Sequence, residues 1–209
     1  MLTTHFGEGV CVDVLCLDLE GVLIPEIWQA VAERTEIQEL RKTTRDIPVY
    51  DELMQLRLGV LAEHDIAMSL IDSVIGELDP LPGAADFLHW ARERYQVAII
   101  SDTFYQFARP LMAKLGWPTL LCHQLTVVDD RITGYLIRQP DPKRRSVQAF
   151  KGLRYRVLAA GDSYNDVSML EEADAGFFFR APDNVLADYP QYPLANSYAE
   201  LQQLLQGYA

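Results

Sequence analysis

The chain has 209 residues, of which 49% are hydrophobic and 23% charged, with a net charge of −12 and a pI of about 4.7. That length and balance suit a soluble globular protein with one sizeable core, or a core carrying a small insertion. The acidic surface works against nucleic acid and anionic membranes as partners, so phosphate chemistry would need local positive charge from a metal, a lysine or backbone amides. Met1 to Gly9 shows neither a basic n-region nor an apolar h-region, so no signal peptide is expected. No apolar run reaches the roughly 18 residues of a membrane span. The three cysteines, Cys11, Cys16 and Cys122, form no Cys-x-x-Cys pair and make a poor disulfide framework, which fits a reducing cytoplasm.

In chain order, Val12 to Leu17 reads as a buried strand of parallel type that ends at Asp18. Residues 26–78 carry helical spacing only, first around Ile27, Ala30 and Val31, then over Leu53 to Leu61, then through Met68, Ile71, Ile75 and Leu78. Pro80-Leu-Pro82-Gly83 punctuates the chain. Helix and strand then alternate. Ala84 to Arg94 predicts a helix, Gln96 to Ile100 a strand and Phe104 to Leu115 a helix closed by Gly116. Leu125 to Val128 and Ile132 to Ile137 flank Asp129-Asp130-Arg131 as a hairpin. Ser146 to Lys151 predicts a helix, Arg156 to Ala160 a strand, Val167 to Glu172 a helix, Phe177 to Phe179 a strand and Tyr198 to Leu205 a closing helix. This alternation implies an α/β, doubly wound, Rossmann-like parallel sheet, with an α/β core over 1–24 and 82–209 and a small inserted helical cap over 25–81. Such sheets bind ligands beyond the carboxyl ends of their strands, where Asp18, Ser101 and Asp162 fall.

Four strand-end elements carry chemistry. Asp18-Leu19-Glu20-Gly21 offers a carboxylate able to attack phosphorus and a second carboxyl able to protonate the leaving oxygen. Ser101-Asp102-Thr103 offers a hydroxyl and an amide for a phosphate oxygen, or alternatively a cap for the next helix. Lys143 lies in Asp141-Pro142-Lys143-Arg144-Arg145, the richest cationic spot of an acidic chain, and reads as countercharge to phosphate; an exposed turn is the alternative, kept for Arg144 and Arg145. Gly161-Asp162-Ser163-Tyr164-Asn165-Asp166 gathers hard oxygen ligands suited to Mg²⁺, or else an acidic helix N-terminus. Each element alone also fits an ordinary turn or cap. Their joint occurrence in one order supplies nucleophile, acid, clamp, countercharge and metal.

Asp18-x-Glu20, Ser101, Lys143 and Gly161-Asp162-x-x-x-Asp166 resemble the motif set of the haloacid dehalogenase superfamily across nearly the whole chain. The helical block after the first motif resembles the cap of the phosphoserine phosphatase family. That resemblance implies an ammonium partner at Glu26 and a carboxylate clamp at Arg57, with Asn165 near the substrate phosphate. It also implies Mg²⁺ held by Asp18, the backbone carbonyl of Glu20 and Asp162, with Asp166 orienting them from outside. Ser101, the amide of Asp102 and Lys143 would hold the phosphoryl oxygens. Glu20 stands where most of the superfamily has Asp. Together with Pro25-Glu26-Ile27-Trp28 and Thr43-Thr44-Arg45-Asp46-Ile47-Pro48, it is similar to the branch that also passes the phosphoryl group from phosphoserine to homoserine, in serine and threonine biosynthesis. The implied partner is a small-molecule substrate, and a homodimer is the assembly kept as an expectation. Two other readings stay open: a phosphatase of another small ester on the same fold, and a phospho-Asp receiver module, which the long helical block after the first strand disfavours.

Overall fold

The structure is a computed structural model that describes residues 12–44, 46–47 and 49–208. The N-terminal stretch, Cys11, Arg45 and Pro48 lie outside the described residues. Strand β1 (Asp13–Leu17) is followed by helices α1 (Ile27–Thr35), α2 (Tyr50–Glu63) and α3 (Met68–Glu77), with a 3₁₀ turn at Gln38–Arg41. The alternating part comprises α4 (Ala84–Arg92), β2 (Gln96–Phe104), α5 (Tyr105–Lys114), β3 (Thr119–Val128) and β4 (Arg131–Leu136). It continues through α6 (Pro142–Gly152), β5 (Arg156–Gly161), α7 (Val167–Glu172), β6 (Ala175–Phe179), α8 (Asp183–Asp188), β7 (Leu194–Ala195) and α9 (Tyr198–Gln206).

Among the described residues the strands form one seven-stranded sheet in the order β4-β3-β2-β1-β5-β6-β7. Every pair is parallel except the β3–β4 hairpin. Alternate side chains feed two cores, as the two-residue strand period requires. Leu15, Leu17, Ile99, Leu158 and Phe177 pack under α4, α5, α9 and the inserted helices, whereas Val14, Cys16, Ala98, Val157, Ala159 and Phe178 pack under α6, α7 and α8. Fully burying a side chain of the Leu or Phe class contributes about 1.5–3 kcal/mol, so two covered faces hold the sheet's centre rigid. β1 sits between β2 and β5, where the chain changes faces. A crevice therefore opens beyond the carboxyl ends of β1 and β5, where Asp18 and Asp162 lie.

The doubly wound parallel sheet agrees with the expectation from sequence. Differences lie at the ends of elements. β2 runs on through Ser101, Asp102 and Thr103, with a shift of register against β3 between Ile100 and Phe104. β3 begins at Thr119, and α8 and β7 add to the predicted elements. The hairpin turn is made by Asp129 and Asp130, both at positive φ, as two-residue turns between twisted strands demand. Asp130 then reaches the inserted helices. Its carbonyl accepts from the Met68 amide at 2.9 Å, and its carboxylate accepts from the Ser69 amide at 2.8 Å and hydroxyl at 2.6 Å. Arg131 adds a 2.7 Å ion pair to Asp65. Among the described residues no helix is long and apolar enough to cross a membrane.

Candidate active site

Asp18 is the first residue past β1, and its amide donates to Ala160 O at 3.0 Å, which extends the β1–β5 ladder by one step. The side chain is thereby fixed at the mouth of the crevice, 4% exposed. Its Oδ1 accepts the Leu19 amide at 2.8 Å and its Oδ2 lies 3.1 Å from Lys143 Nζ. Burial raises the Asp18 carboxyl well above the usual range; Asp166, Asp162 and Asp102 push the same way, and Lys143 pulls against them.

Lys143 is not in a turn but in the first turn of α6, and it is 1% exposed. Its ammonium lies 2.5 Å from Asp166 Oδ1, 3.1 Å from Asp18 Oδ2 and 3.7 Å from Asp102 Oδ2. Burial opposes its charge, but Asp166, Asp18 and Asp102 outweigh that and raise its pKa well above the ordinary lysine value. Arg144 instead pairs with Asp141 and Glu171 near the surface, and Arg145 is exposed, as the sequence implied for both.

Two glycines bring the acidic turns together. At Gly21 φ is +79°, and a Cβ there would stand 2.4 Å from Asp162 Oδ2. At Gly161 a Cβ would stand 2.2 Å from Asp166 Cγ, because Asp166 folds back so that its Oδ2 accepts the amides of Asp162 at 2.9 Å and Ser163 at 3.1 Å. Gly161→Ala is therefore expected to displace Asp166, lower stability by about 1–3 kcal/mol and lose most activity. Thermal denaturation and turnover of the purified variant check both.

Asp18, Asp162 and Asp166 each offer a carboxylate oxygen, and the three atoms lie within 4.8 Å of one another. The donor set is all oxygen and anionic, so the residues fit a hard divalent cation. Asp166 is fully buried and already accepts from two amides and Lys143, which suits orienting its neighbours better than ligating.

Ser101 does not cap α5. The cap position is Phe104 and has no side-chain cap bond. Ser101 is buried in β2, where its Oγ accepts the Thr103 amide at 3.3 Å. Asp102 faces the crevice. Burial acts to raise its carboxyl, but Lys143, His123 and Asn165 outweigh that and hold it at about 2. Asn165 Nδ2 donates to Asp102 Oδ2 at 2.9 Å, and the hydroxyl of Tyr50, at the start of α2, donates to the Asp102 carbonyl at 2.8 Å. Neither Tyr50 nor His123 stands out in the sequence as a site residue. Tyr50 directly precedes a helical run, and His123 lies in a part of β3 that carries no local strand signal.

A second cluster adjoins the inserted helices. Glu20 Oε2 accepts the Ile27 amide at 3.0 Å, at the N-terminus of α1. Burial raises the Glu20 carboxyl, against opposing effects of the Ile27 amide, Thr103, Arg57 and Glu26. Glu26 is exposed and faces both Glu20 and Arg57. Arg57, on α2, is buried. Its guanidinium lies over the Trp28 ring at 4.5 Å, its Nη2 donates to Lys42 O at 2.9 Å, and its Nε has no hydrogen-bond partner among the described residues. Burial lowers its pKa to about 10, with Glu20, Tyr50 and Glu26 opposing. The structure thus gathers Asp18, Asp102, Lys143, Asp162, Asn165 and Asp166 in one crevice. It sets Glu20, Glu26 and Arg57 together beside the inserted helices.

The chain is similar to proteins of known name. It is 58% identical over 197 residues to "Phosphoserine phosphatase" of Pseudomonas syringae pv. tomato, covering 93% of this chain and 83% of that one. It is also 58% identical over 192 residues to "Phosphoserine phosphatase ThrH" of Pseudomonas aeruginosa, covering 91% and 94%. Its fold matches a substrate-bound phosphoserine phosphatase structure with TM-score 0.79 at 18% identity, over 95% of this chain and 99% of that one. Residues 22–171 match the family model for haloacid dehalogenase-like hydrolases, and the chain belongs to that family of enzymes.

Proposed function

We propose that this enzyme is a Mg²⁺-dependent phosphoserine phosphatase that works through a phosphorylated Asp18 and also passes the phosphoryl group to homoserine. The observation that carries the reading is Arg57: a buried guanidinium beside Glu20 and Glu26, whose Nε has no hydrogen-bond partner among the described residues. A neutral polyol ester needs no such group, whereas an amino-acid carboxylate satisfies it, and Glu26 takes the ammonium. The names of the two relatives at 58% identity support the same substrate.

Asp18, the carbonyl of Glu20 and Asp162 would hold Mg²⁺, which supplies charge stabilisation of the transferring phosphoryl group. Ser101, the Asp102 amide, Lys143 and Asn165 hold the phosphoryl oxygens. An Asp18 oxygen attacks phosphorus in line, and the bond from phosphorus to the serine oxygen breaks. Glu20, whose burial favours a retained proton, gives that proton to the leaving oxygen. Glu20 then accepts a proton from water, or from the homoserine hydroxyl, as that oxygen attacks phosphorus and frees Asp18. Residues 25–81 act as the cap that excludes bulk water, over a core of 1–24 and 82–209. A cytoplasmic setting suits this chemistry.

Arg57→Ala is expected to raise KM for phosphoserine by about 100-fold, since one partner of a buried charge-assisted pair is lost. KM for p-nitrophenyl phosphate, which has no carboxylate, should change little. Equal changes on both esters would remove Arg57 from the carboxylate role. Phosphate release from L-phosphoserine with Mg²⁺, followed by ³¹P NMR with and without L-homoserine, tests the whole reading. Phosphohomoserine is the expected additional product, and free phosphate alone would leave hydrolysis without transfer.

A further inference from the structure

We propose that Tyr50 and His123 are positioning residues of the phosphoryl site, acting through Asp102, so that the seating of α2 is read directly at the phosphate clamp. The inference rests on the phosphatase reading for its ester, but its geometry stands apart from the choice of substrate.

His123 is 3% exposed and sits on β3. Its Nδ1 accepts the Arg138 amide at 3.3 Å, which places the ring proton on Nε2. That nitrogen faces Asp102 Oδ1 at 3.7 Å. The ring is fixed by Tyr50, edge-on with centroids 5.9 Å apart, and by Phe104 at 6.2 Å. With one oxygen steered by His123, the other Asp102 oxygen accepts the Asn165 amide at 2.9 Å and stands 3.7 Å from Lys143 Nζ. His123 therefore touches neither Asp18 nor the metal cluster, yet it sets the carboxylate that orients two groups of the clamp.

Tyr50 works on the backbone. Its hydroxyl holds the Asp102 carbonyl at 2.8 Å, and so fixes the peptide that joins Asp102 to Thr103. The N–H of that same peptide donates to Ser101 Oγ at 3.3 Å. With an Oγ lone pair taken, the Ser101 hydroxyl proton is free to point outward as a donor to a phosphoryl oxygen. Tyr50 opens α2, the helix that also carries Arg57. A shift of α2 would withdraw Tyr50 from the carbonyl and its ring edge from His123 in one movement. Binding at Arg57 and order at Ser101 are thus joined through one helix.

The test uses Tyr50→Phe, His123→Gln and His123→Asn in the full chain. Glutamine can present an N–H where Nε2 stands. Asparagine can replace only the Nδ1 acceptor and is too short to reach Asp102. Inorganic phosphate, titrated calorimetrically with Mg²⁺ present, probes the clamp whatever ester the enzyme takes. Tyr50→Phe and His123→Asn are expected to weaken phosphate affinity and lower kcat for phosphoserine about tenfold each, with His123→Gln within about threefold of wild type. The inference is overturned if all three variants stay within about threefold of wild type, or if His123→Gln falls as far as His123→Asn in step with Tm. A wild-type protein that binds phosphate but leaves phosphoserine intact would sink the substrate assignment, and the phosphate affinities would still judge this inference.

Discussion

Asp18→Asn is expected to lower turnover by at least about 10⁴-fold while the protein stays folded, because loss of a nucleophile removes the step on which the others depend. Asparagine has nearly the same shape, and its Oδ1 can still accept the Leu19 amide. What disappears is the anion that, on the proposed mechanism, attacks phosphorus. The same substitution makes a less obvious thermodynamic prediction. The Asp18 carboxyl is held well above its usual range by burial and by Asp166, Asp162 and Asp102. A carboxyl raised on folding costs stability in its ionised form, and that cost grows as pH rises from the unfolded value through the folded one. In metal-free buffer at neutral pH, Asp18→Asn should therefore melt no lower than wild type. Mg²⁺ should raise the Tm of wild type more than that of the variant, because a ligand that binds only the folded state stabilises it. Near wild-type turnover would sink covalent catalysis at Asp18, and an Asn variant that melts far lower would sink the charge reading.

Lys143→Met should have the second largest effect, on stability and activity together. The lysine is fully buried, and its ammonium lies between Asp18, Asp166 and Asp102. Methionine fills much of the stem's volume but leaves those carboxylates without their cation. Removing one partner of a buried ionic cluster costs about 3–5 kcal/mol. For a chain of this size that lowers Tm by roughly 6–20 °C. The clamp also loses its one fixed cation, so turnover should fall at least about 10²-fold even where the variant is folded. A Tm within a degree or two of wild type, read by calorimetry, would show that the cluster does not depend on Lys143. The surface pair Arg144–Glu171 offers an internal contrast, since its loss should cost no more than about 1 kcal/mol.

Much of the site is legible in the order of the amino acids. Asp18 and Asp162 announce themselves because a short apolar run stops at a polar residue, and such a stop marks the carboxyl end of a buried parallel strand. Gly21 and Gly161 sit beside them because each turn leaves no room for a Cβ. The inserted helices show in the change of hydrophobic period from two to about 3.6. Local pattern also predicts the sheet's parallel type and its alternation with helices, since both follow from residues that are neighbours in the chain.

Long-range proximity decides the rest. Ser101 taken alone reads first as a helix cap in the sequence, and only the continuation of β2 to Phe104 removes that reading. Lys143 reads in the sequence as countercharge to phosphate, but no local pattern shows that it is buried. It is buried because α6 packs against β2 and β5, where Asp166, 23 positions away, supplies the charge that makes burial tolerable. His123 has no local signal, because its meaning comes from Asp102 on the adjacent strand and from the Arg138 amide beyond the hairpin. Tyr50 likewise becomes a site residue only when α2 packs against β4 and brings its hydroxyl to Asp102 on β2. A sequence by itself determines which residues can ionise, turn or stack. Which of them meet, and therefore which charges are paired and which donors are fixed, depends on contacts between segments that only the tertiary structure brings together.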